Sequence, residues 1–279
     1  MTHYKLWPII MAGLALVLVG CSSPKNNEVI ATPTIPSFEE VSTSIFLTQN
    51  APPAGFSQVA FDPLDLHLSD HGGWVYQLTG SFDGIYDDSG QPVQGSLSIQ
   101  VIGNEAGQTR RVLFEASGQA FLIDDAILTL EGVRFINDYY LVDVNGQCTV
   151  DMGGQAGSAT IADLSAGQVI GGVARAVPNG HRMEIDGVPA WQYTFAPADV
   201  RLPAVHTLAN SRVALAADLW IAPQYNAVLR YEVTVEVERV HLLWADQTAA
   251  TVSGTLYLRY DLSIPDLGIQ PNISVPHGC

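Results

Sequence analysis

Apolar and polar residues alternate with a period of two over much of the chain. In residues 230–237, Tyr231 and three valines alternate with charged residues and a threonine, and residues 251–262 repeat the pattern around Leu256, Leu258 and Tyr260. Successive side chains of a strand point to opposite faces, so each segment predicts a strand that is buried on one face.

Further segments predict strands by the same pattern, and clusters of Asp, Asn, Ser and Gly separate them. They span residues 62–69, 74–82, 95–102, 111–116, 126–130, 139–144 and 213–221. Residues 223–226 supply the turn of a hairpin. Helical spacing is clear once, over residues 160–174, although three glycines weaken it, and no clear helix precedes Trp74.

About ten strands and one good helix leave an apolar sheet face that helices alone cannot cover. One solution closes the sheet on itself as a sandwich or barrel. The other curls the sheet around a few helices and leaves an apolar pocket open to a ligand. The composition is compatible with both solutions.

The first 20 residues predict an export signal, because a short apolar run ends at Gly20, directly before Cys21. The run is too short for a comfortable membrane span. The sequence Leu18-Val19-Gly20-Cys21 resembles the bacterial lipobox, which implies that Cys21 becomes the N-terminus and carries acyl chains such as palmitate. Ser22 follows instead of Asp, so the resemblance does not imply retention at an inner membrane. The alternative is an ordinary secretory signal with Cys21 as a bystander.

Residues 21–40 contain three prolines and no apolar periodicity, so they predict a flexible tether ahead of a single β-rich domain over residues 41–279. The net charge is −16, and it becomes −17 when the signal leaves with Lys5. Nucleic acids and anionic headgroups need clustered Lys and Arg. The acidity therefore argues against both partners.

Lipidation of Cys21 would leave an even pair of cysteines, Cys148 and Cys279, in an oxidising compartment. A bridge between them would close a loop of more than 100 residues and contribute up to roughly 4–5 kcal/mol in the chain-entropy model. Two free thiols are the alternative.

Two passages carry a resemblance to a known family. Residues 217–233 read as a hairpin with Asp218 and Trp220 on its first strand, and residues 164–195 place a helical stretch, an Asp-Gly passage and an aromatic strand before it. Together with the lipobox, they resemble the LolA/LppX-like lipoprotein superfamily. The resemblance implies a strongly curved antiparallel half-barrel with one or two helices packed on its concave face, and an apolar cavity that carries acyl chains.

In that interpretation, aromatic residues on the strands would line the cavity, whereas the plainer interpretation makes them ordinary core. They are Trp191, Tyr193, Phe195, Trp220, Tyr231 and Tyr260.

Candidate catalytic chemistry is sparse. The motifs of serine hydrolases, zinc proteases, dithiol oxidoreductases and P-loop enzymes do not occur, and Asp124 and Asp125 would point to opposite faces of a strand. The glycines of residues 153–157 predict a loop. One dense cluster of ligand-type side chains reads as a solvated strand and turn rather than a metal site; it comprises Asp62, Asp65, His67, Asp70 and His71. We therefore expect no catalytic residue, metal or cofactor, and no enzyme.

The sequence predicts an exported lipoprotein, anchored through Cys21 to the outer face of the bacterial membrane or to the outer membrane of a two-membrane cell. Its predicted ligand is a lipid or acylated molecule, bound for carriage or sensing at the cell envelope. The alternative is a structural or interaction lipoprotein with a closed core and no ligand.

Overall fold

The computed structural model describes residues 37–122, 127–152, 157–243 and 250–279. The predicted signal, Cys21 and most of the predicted tether lie outside these residues. Asp124, Asp125 and residues 153–156 of the glycine-rich stretch lie outside them as well.

A single antiparallel sheet of 13 strands forms the body of the described chain, and its order is β1-β8-β9-β11-β12-β13-β2-β3-β4-β5-β6-β7, with β10 paired to β8. The strands are β1 (Val59–Phe61), β2 (Gly73–Tyr86), β3 (Pro92–Asn104), β4 (Thr109–Ser117), β5 (Ile127–Phe135), β6 (Asp138–Val142), β7 (Cys148–Met152), β8 (Gly172–Ile185), β9 (Val188–Thr194), β10 (Val200–Arg201), β11 (Val205–Ala222), β12 (Ala227–Leu242) and β13 (Val252–Leu262). The sheet is open and curved, so the expected mainly antiparallel, half-barrel architecture is confirmed.

The two faces of the sheet differ in chemistry. On one face, Tyr231 lies opposite Tyr260 in the β12–β13 register, and both are fully buried. On the other face, the neighbouring Arg230 lies opposite Asp261, and their ion pair measures 2.8 Å. We call the first the inner face and the second the outer face. The period-two pattern of the sequence therefore marks a real division between core and solvent.

Three short α-helices accompany the sheet in the described residues: α1 (Phe38–Gln49), α2 (Gly157–Ala162) and α3 (Ala166–Val169). None of the helices there is long and apolar enough to cross a membrane. Helix α2 packs on the inner face, where Gly132 of β5 leaves no room for a side chain against Ala162. Ser37 and Glu40 exchange hydrogen bonds at the start of α1, as in a capping box. The sequence analysis missed α1.

The single helix expected over residues 160–174 is wrong. The helical segment breaks into α2 and α3, and strand β8 begins at Gly172. Gly171 has a φ of +74°, and a side chain there would collide with the backbone oxygen of Arg201. Two of the glycines that weaken the helical pattern, Gly171 and Gly172, are thus needed for close contact with strands β10 and β1.

The strand expected over residues 62–69 is also wrong. Backbone hydrogen bonds from Leu66 to Pro63 and from Leu68 to Asp65 close successive turns there. Leu64 and Leu68 are buried, whereas Leu66 is exposed. A spacing of four residues, and not of two, therefore brings the leucines to the core.

A C-terminal strap, residues 263–279, crosses the outer face beyond β13. Gly268 N–H donates to the Gly73 carbonyl at 2.7 Å, and the Asn104 and Arg111 side chains donate to the carbonyls of Pro271 and Ser274 at 2.9 and 3.0 Å. The strap ends at Cys279, which forms a disulfide with Cys148 at the start of β7. The bond joins the cysteine pair that the sequence analysis singled out.

Candidate functional site

Five aromatic rings form a row across the inner face, from the start of β2 to the end of β9. The Trp74 and Tyr76 rings stack at 5.4 Å with an interplanar angle of 7°, and Tyr76 is 5.1 Å from Tyr260. Tyr231 lies beside Tyr260 in register, and Phe195 is 6.2 Å from Tyr231. Aromatic pairs at these separations attract each other beyond simple burial. We call this set the aromatic row.

At one end of the row the tyrosine hydroxyl is fully hydrogen-bonded, whereas Nε of the neighbouring Arg110 is buried without a partner among the described residues. The Tyr76 hydroxyl donates to Asp65 Oδ2 at 3.1 Å and accepts from the Ala166 N–H at 3.0 Å and from Arg110 Nη2 at 3.3 Å. The Arg110 guanidinium also lies 5.4 Å from the Trp74 ring centre, within cation–π range. Burial, followed by the charge of Asp65, raises the pKa of Tyr76 far above its ordinary value. This end joins residues 62–71 and helix α3 to the sheet.

The other end of the row carries two hydroxyls of a different kind. The Tyr231 and Tyr260 hydroxyls are buried and have no hydrogen-bond partner among the residues that the structure describes. Burial raises the pKa of both phenols well above the ordinary value, so each stays neutral and keeps its proton. An unsatisfied buried polar group costs about 1–3 kcal/mol. Both donors lie on the inner face without an acceptor, so each could donate to a ligand that reaches this face.

A cavity of about 290 Å³ adjoins this second end. Phe195 forms part of its wall, and the same ring contacts Tyr231. The volume lies at the lower end of the range of about 300–1,000 Å³ found for small-molecule pockets. The remaining lining residues come from β8 and from the segment after β9: Arg175, Ala176, Val177, Thr194, Ala196 and Asp199.

The inner face also loses its cover along β11. Leu219 is fully buried, Leu215 and Ala217 are half-buried, and Val213 is 41% exposed. These side chains lie opposite Tyr231, Val235, Val233 and Val237 of β12, all on the inner face. The apolar face is therefore only partly covered beyond the Phe195 end of the row.

The structure brings together three of the six aromatic residues that the sequence analysis selected: Phe195, Tyr231 and Tyr260. Tyr193 is buried on the same face, where its hydroxyl donates to the Phe56 carbonyl at 2.8 Å, and burial raises its pKa to about 12. Trp191 donates from Nε1 to the Asn50 carbonyl at 2.9 Å.

Trp220 lies apart from the other five aromatic residues. It lies opposite Arg230 in the β11–β12 register, which puts it on the outer face. The sequence analysis did not select Trp74 and Tyr76, although their spacing of two on a predicted strand is the signal that could have placed both in the aromatic row.

The predicted cluster of ligand-type side chains is dispersed. Asp65 belongs to the Tyr76 network, Asp62 forms an ion pair with Arg201, and His71 Nε2 lies 3.0 Å from the Tyr225 carbonyl. His67 and Asp70 form a surface pair at 3.6 Å. Within residues 37–122, 127–152, 157–243 and 250–279, no three His, Cys, Asp or Glu residues are grouped to hold a metal ion.

Two open grooves mark the outer face. One of about 880 Å³ crosses β13, β2, β3 and β4, and one of about 500 Å³ reaches from β2 to β6. Hydroxyl and amide side chains, among them Ser81, Gln94 and Ser96, dominate the lining of the first, whereas the second combines Gln77 and Ser98 with apolar side chains such as Leu113 and Val144. The polar side chains offer hydrogen bonds to solvent. Neither groove is lined by any of the buried, unpaired groups found on the inner face.

Comparison with known proteins gives distant structural neighbours only. No family model matches the chain, and no curated protein matches it. A LolA superfamily protein from Nitrosomonas europaea shares 10% identity over 71% of this chain and 87% of its own, with a TM-score of 0.21.

Two further solved structures give similar values. A DUF1329 family protein from Desulfovibrio piger shares 8% identity over 84% and 94% of the two chains, with a TM-score of 0.22. A putative outer membrane lipoprotein-sorting protein domain from Vibrio parahaemolyticus shares 6% identity over 84% and 93%, with a TM-score of 0.21. These neighbours include the superfamily that the sequence passages resemble. At such TM-scores the overlap carries no argument about function.

Proposed function

We propose that this protein is an envelope lipoprotein that binds the acyl part of a lipid or of an acylated molecule at the unpaired end of the aromatic row. The observation that carries the proposal is the pair of buried hydroxyls on Tyr231 and Tyr260, which have no acceptor among the described residues. A ligand with a carbonyl or carboxyl oxygen at the head of an apolar chain would satisfy both hydroxyls.

The surrounding side chains fit the apolar part of such a ligand. Phe195 lines the 290 Å³ cavity and its ring contacts Tyr231, so rotation of this ring would open a path from the cavity toward the row. From there the chain would lie along the half-covered inner face of β11, against Leu215 and Val213. Burial of apolar surface, at about 25 cal/mol per Å², would supply the affinity without any covalent chemistry.

The anchor is part of the same proposal. Acylated Cys21 would hold the protein at a membrane surface, since two or more acyl chains anchor stably where one does not. Residues 22–37 separate Cys21 from the start of α1, and an extended chain of that length reaches roughly 55 Å. The domain could therefore stand clear of the headgroups while it exchanges a lipid with the membrane.

A second candidate, an interaction lipoprotein with a closed core, has its own supporting observation. Most of the inner face is already filled: Val233, Val235, Leu256 and Leu258 are buried against other parts of the chain. In that case the unpaired hydroxyls would lower the stability of the fold slightly and would not form a binding site.

Native mass spectrometry of the full chain, released from the cell envelope in mild detergent, separates the two candidates. A noncovalent mass of several hundred daltons that is lost on denaturation, followed by extraction and identification of a lipid, is the expected result. The Tyr231→Phe/Tyr260→Phe double variant should carry less of this mass. Tyr257→Phe is the matched control, because Tyr257 lies on the outer face of the same strand. A bare chain, under conditions that keep a lipid-binding control protein loaded, would favour the closed-core candidate.

A further inference from the structure

Strand β11 has one edge that no described strand covers over part of its length. It pairs with β12 along nearly its whole length, but with β9 only at Leu219, Trp220 and Ile221. Over residues 212–218 the second edge of β11 has no strand partner in the described part of the chain. Unpaired backbone N–H and C=O groups along an edge are a template for another strand.

A register shift marks one end of this free edge, and pairing with β9 marks the other. At one limit, the β11–β12 register shifts between Thr207 and Arg212, and the Ser211 hydroxyl donates to the Arg239 carbonyl within the bulge. At the other limit, β9 takes over the edge at Leu219. Seven residues lie between the limits, and Leu215 is the middle one. At about 3.3 Å per residue they span roughly 23 Å.

The free edge lacks the protection that exposed edges usually have. Its sequence, Arg-Val-Ala-Leu-Ala-Ala-Asp, contains no Pro and no Lys, and no inward-pointing charge. Natural edges are blunted by such residues, by bulges or by a covering segment. An unprotected edge of this length therefore indicates a partner.

We propose that residues 212–218 pair with the same residues of a second copy of this chain, antiparallel and around a two-fold axis at Leu215. A two-fold contact is self-complementary, because each residue meets the residue at the mirrored position. In this register Leu215 faces its own copy, Ala214 faces Ala216, Val213 faces Ala217 and Arg212 faces Asp218. The two-fold axis creates each of the last three contacts twice.

Charge complementarity favours this occupant over an arbitrary extended peptide. Asp218 lies opposite Glu232 within the chain, and Arg259 pairs with Glu232 at 2.6 Å. Asp218 accepts a hydrogen bond from Gln192 Nε2 at 2.5 Å, and no cation forms an ion pair with it among the described residues. Arg212 is 81% exposed, and its partner Glu238, opposite it in the β11–β12 register, lies at 3.2 Å and is itself exposed. The two-fold register brings the Arg212 of each copy to the Asp218 of the other.

The same register covers the half-open inner face. Val213, Leu215 and Ala217 are the inner-face residues of the free edge, and Val213 and Leu215 retain substantial exposure. A second strand would add the matching side chains of the other copy beside them, as cross-strand neighbours do within a sheet. The small side chains of Ala214 and Ala216 allow close approach on the outer face.

The contact is short, so we expect a reversible dimer rather than an obligate one. Interfaces that bury less than about 1,200 Å² are mostly transient. The pairing does not involve Tyr231 and Tyr260, but it includes Val213 and Leu215, along which the acyl chain of the proposed lipid would lie. The dimer itself does not require the lipid.

Cysteine cross-linking in the envelope tests the register on the full, membrane-bound chain. Leu215→Cys should form a covalent dimer under mild oxidation, because residue 215 faces its own copy at a distance that a disulfide can bridge. Val213→Cys is the matched control on the same face. Residue 213 would lie four positions, or about 13 Å, from its own copy, which is too far for a disulfide. Equal cross-linking of both variants, or none with Leu215→Cys, would overturn the proposal.

Exchanging the charges of residues 212 and 218 tests whether the partner is a second copy of this chain. In the Leu215→Cys background, Arg212→Asp and Asp218→Arg should each reduce the covalent dimer about tenfold, since each places like charges opposite one another twice. Co-expression of the two variants, with different tags, should restore a mixed dimer only, because Asp now faces Arg at both contacts. An unchanged amount of covalent dimer in the two charge variants would contradict the two-fold register. So would the capture of an unrelated extended peptide in place of the second copy.

Discussion

The two ends of the aromatic row use the same side chain in opposite ways. At one end, the Tyr76 hydroxyl has three hydrogen-bond partners from three separate parts of the chain. At the other end, the Tyr231 and Tyr260 hydroxyls have none among the described residues, although they are buried just as deeply. A buried phenol whose partners are complete contributes to the fold, and a buried phenol without partners is available to a ligand.

The difference is also one of position. Tyr76 lies where residues 62–71, α3 and β4 converge on β2, and all three supply polar groups. Tyr231 contacts Phe195, which lines the nearby cavity, and Tyr260 lies between Tyr231 and Tyr76, whose ring is 5.1 Å away. We therefore assign stability to the Tyr76 end and binding to the Tyr231 end. Each of the following four changes tests that division.

The largest effect should come from Asp65→Ala. It removes the acceptor of the Tyr76 hydroxyl and a second acceptor of the Ala166 N–H, which lies 3.2 Å from Asp65. We expect the free energy of unfolding to fall by about 3 kcal/mol, the upper range for a buried hydrogen bond to a charged group. Urea unfolding measures this fall in the free energy of unfolding. Asp62→Ala, which breaks the half-exposed pair with Arg201, should cost about 1 kcal/mol or less. Equal losses in the two variants would mean that the network does not stabilise the fold.

Tyr76→Phe should have the next largest effect. It leaves Asp65, Arg110 and the Ala166 N–H without the hydroxyl that joins them, while ring packing against Trp74 and Tyr260 is kept. We expect a loss of about 2 kcal/mol in urea unfolding. A neutral Tyr76→Phe substitution would remove the distinction between the two ends of the row.

High pH should destabilise the protein through the tyrosines. Burial raises the pKa of Tyr231 and Tyr260 in the folded state, so above pH 10 the unfolded chain loses these protons first. Their contribution to stability is complete below pH 10 and is lost as the pH rises. At pH 11 each should account for about 1 kcal/mol of the loss. Unfolding curves at pH 9, 10 and 11 should fall less steeply for the double Phe variant than for wild type. Parallel curves would contradict the burial of these phenols as neutral groups.

The smallest effect on stability should come from Tyr260→Phe and Tyr231→Phe at neutral pH. Neither substitution breaks a described hydrogen bond, and each removes a buried group that lacks a partner. We expect the free energy of unfolding to change by no more than about 0.5 kcal/mol, and any measurable change to be an increase. A loss of 2 kcal/mol, as for Tyr76→Phe, would show that the hydroxyls have structural partners and would argue against a binding role.

Much of the fold was predictable from the sequence, because strands with one buried face carry their own pattern. The segment 230–237 lies inside β12 and the segment 251–262 overlaps β13 from Val252 onward, and the alternation predicts both Tyr231 and Tyr260 on the apolar face. The failures have local causes. The leucines of residues 62–69 reach the core through turns, and Gly171 belongs to a close contact with Arg201 that no periodicity reveals.

The candidate site was predictable in part. Alternation identified Phe195, Tyr231 and Tyr260 as strand aromatics, but it could not show which hydroxyls have partners, since those partners are far away in sequence. Asp65 lies 11 residues before Tyr76, and Ala166 lies 90 residues after it. The position of Trp220 on the outer face follows from the β11–β12 register. The presence of an aromatic residue in the segment does not reveal which face its side chain occupies.

Stabilisation by an added fatty acid tests the central claim most directly. Palmitate, added to the full chain in detergent solution after its lipids are exchanged away, should raise the free energy of unfolding by about 2.7 kcal/mol at 100 times its dissociation constant. The Tyr231→Phe/Tyr260→Phe variant should lose most of this gain, whereas Tyr257→Phe should keep it. If palmitate stabilises all three proteins equally, or none of them, the unpaired end of the aromatic row is not a binding site for acyl chains.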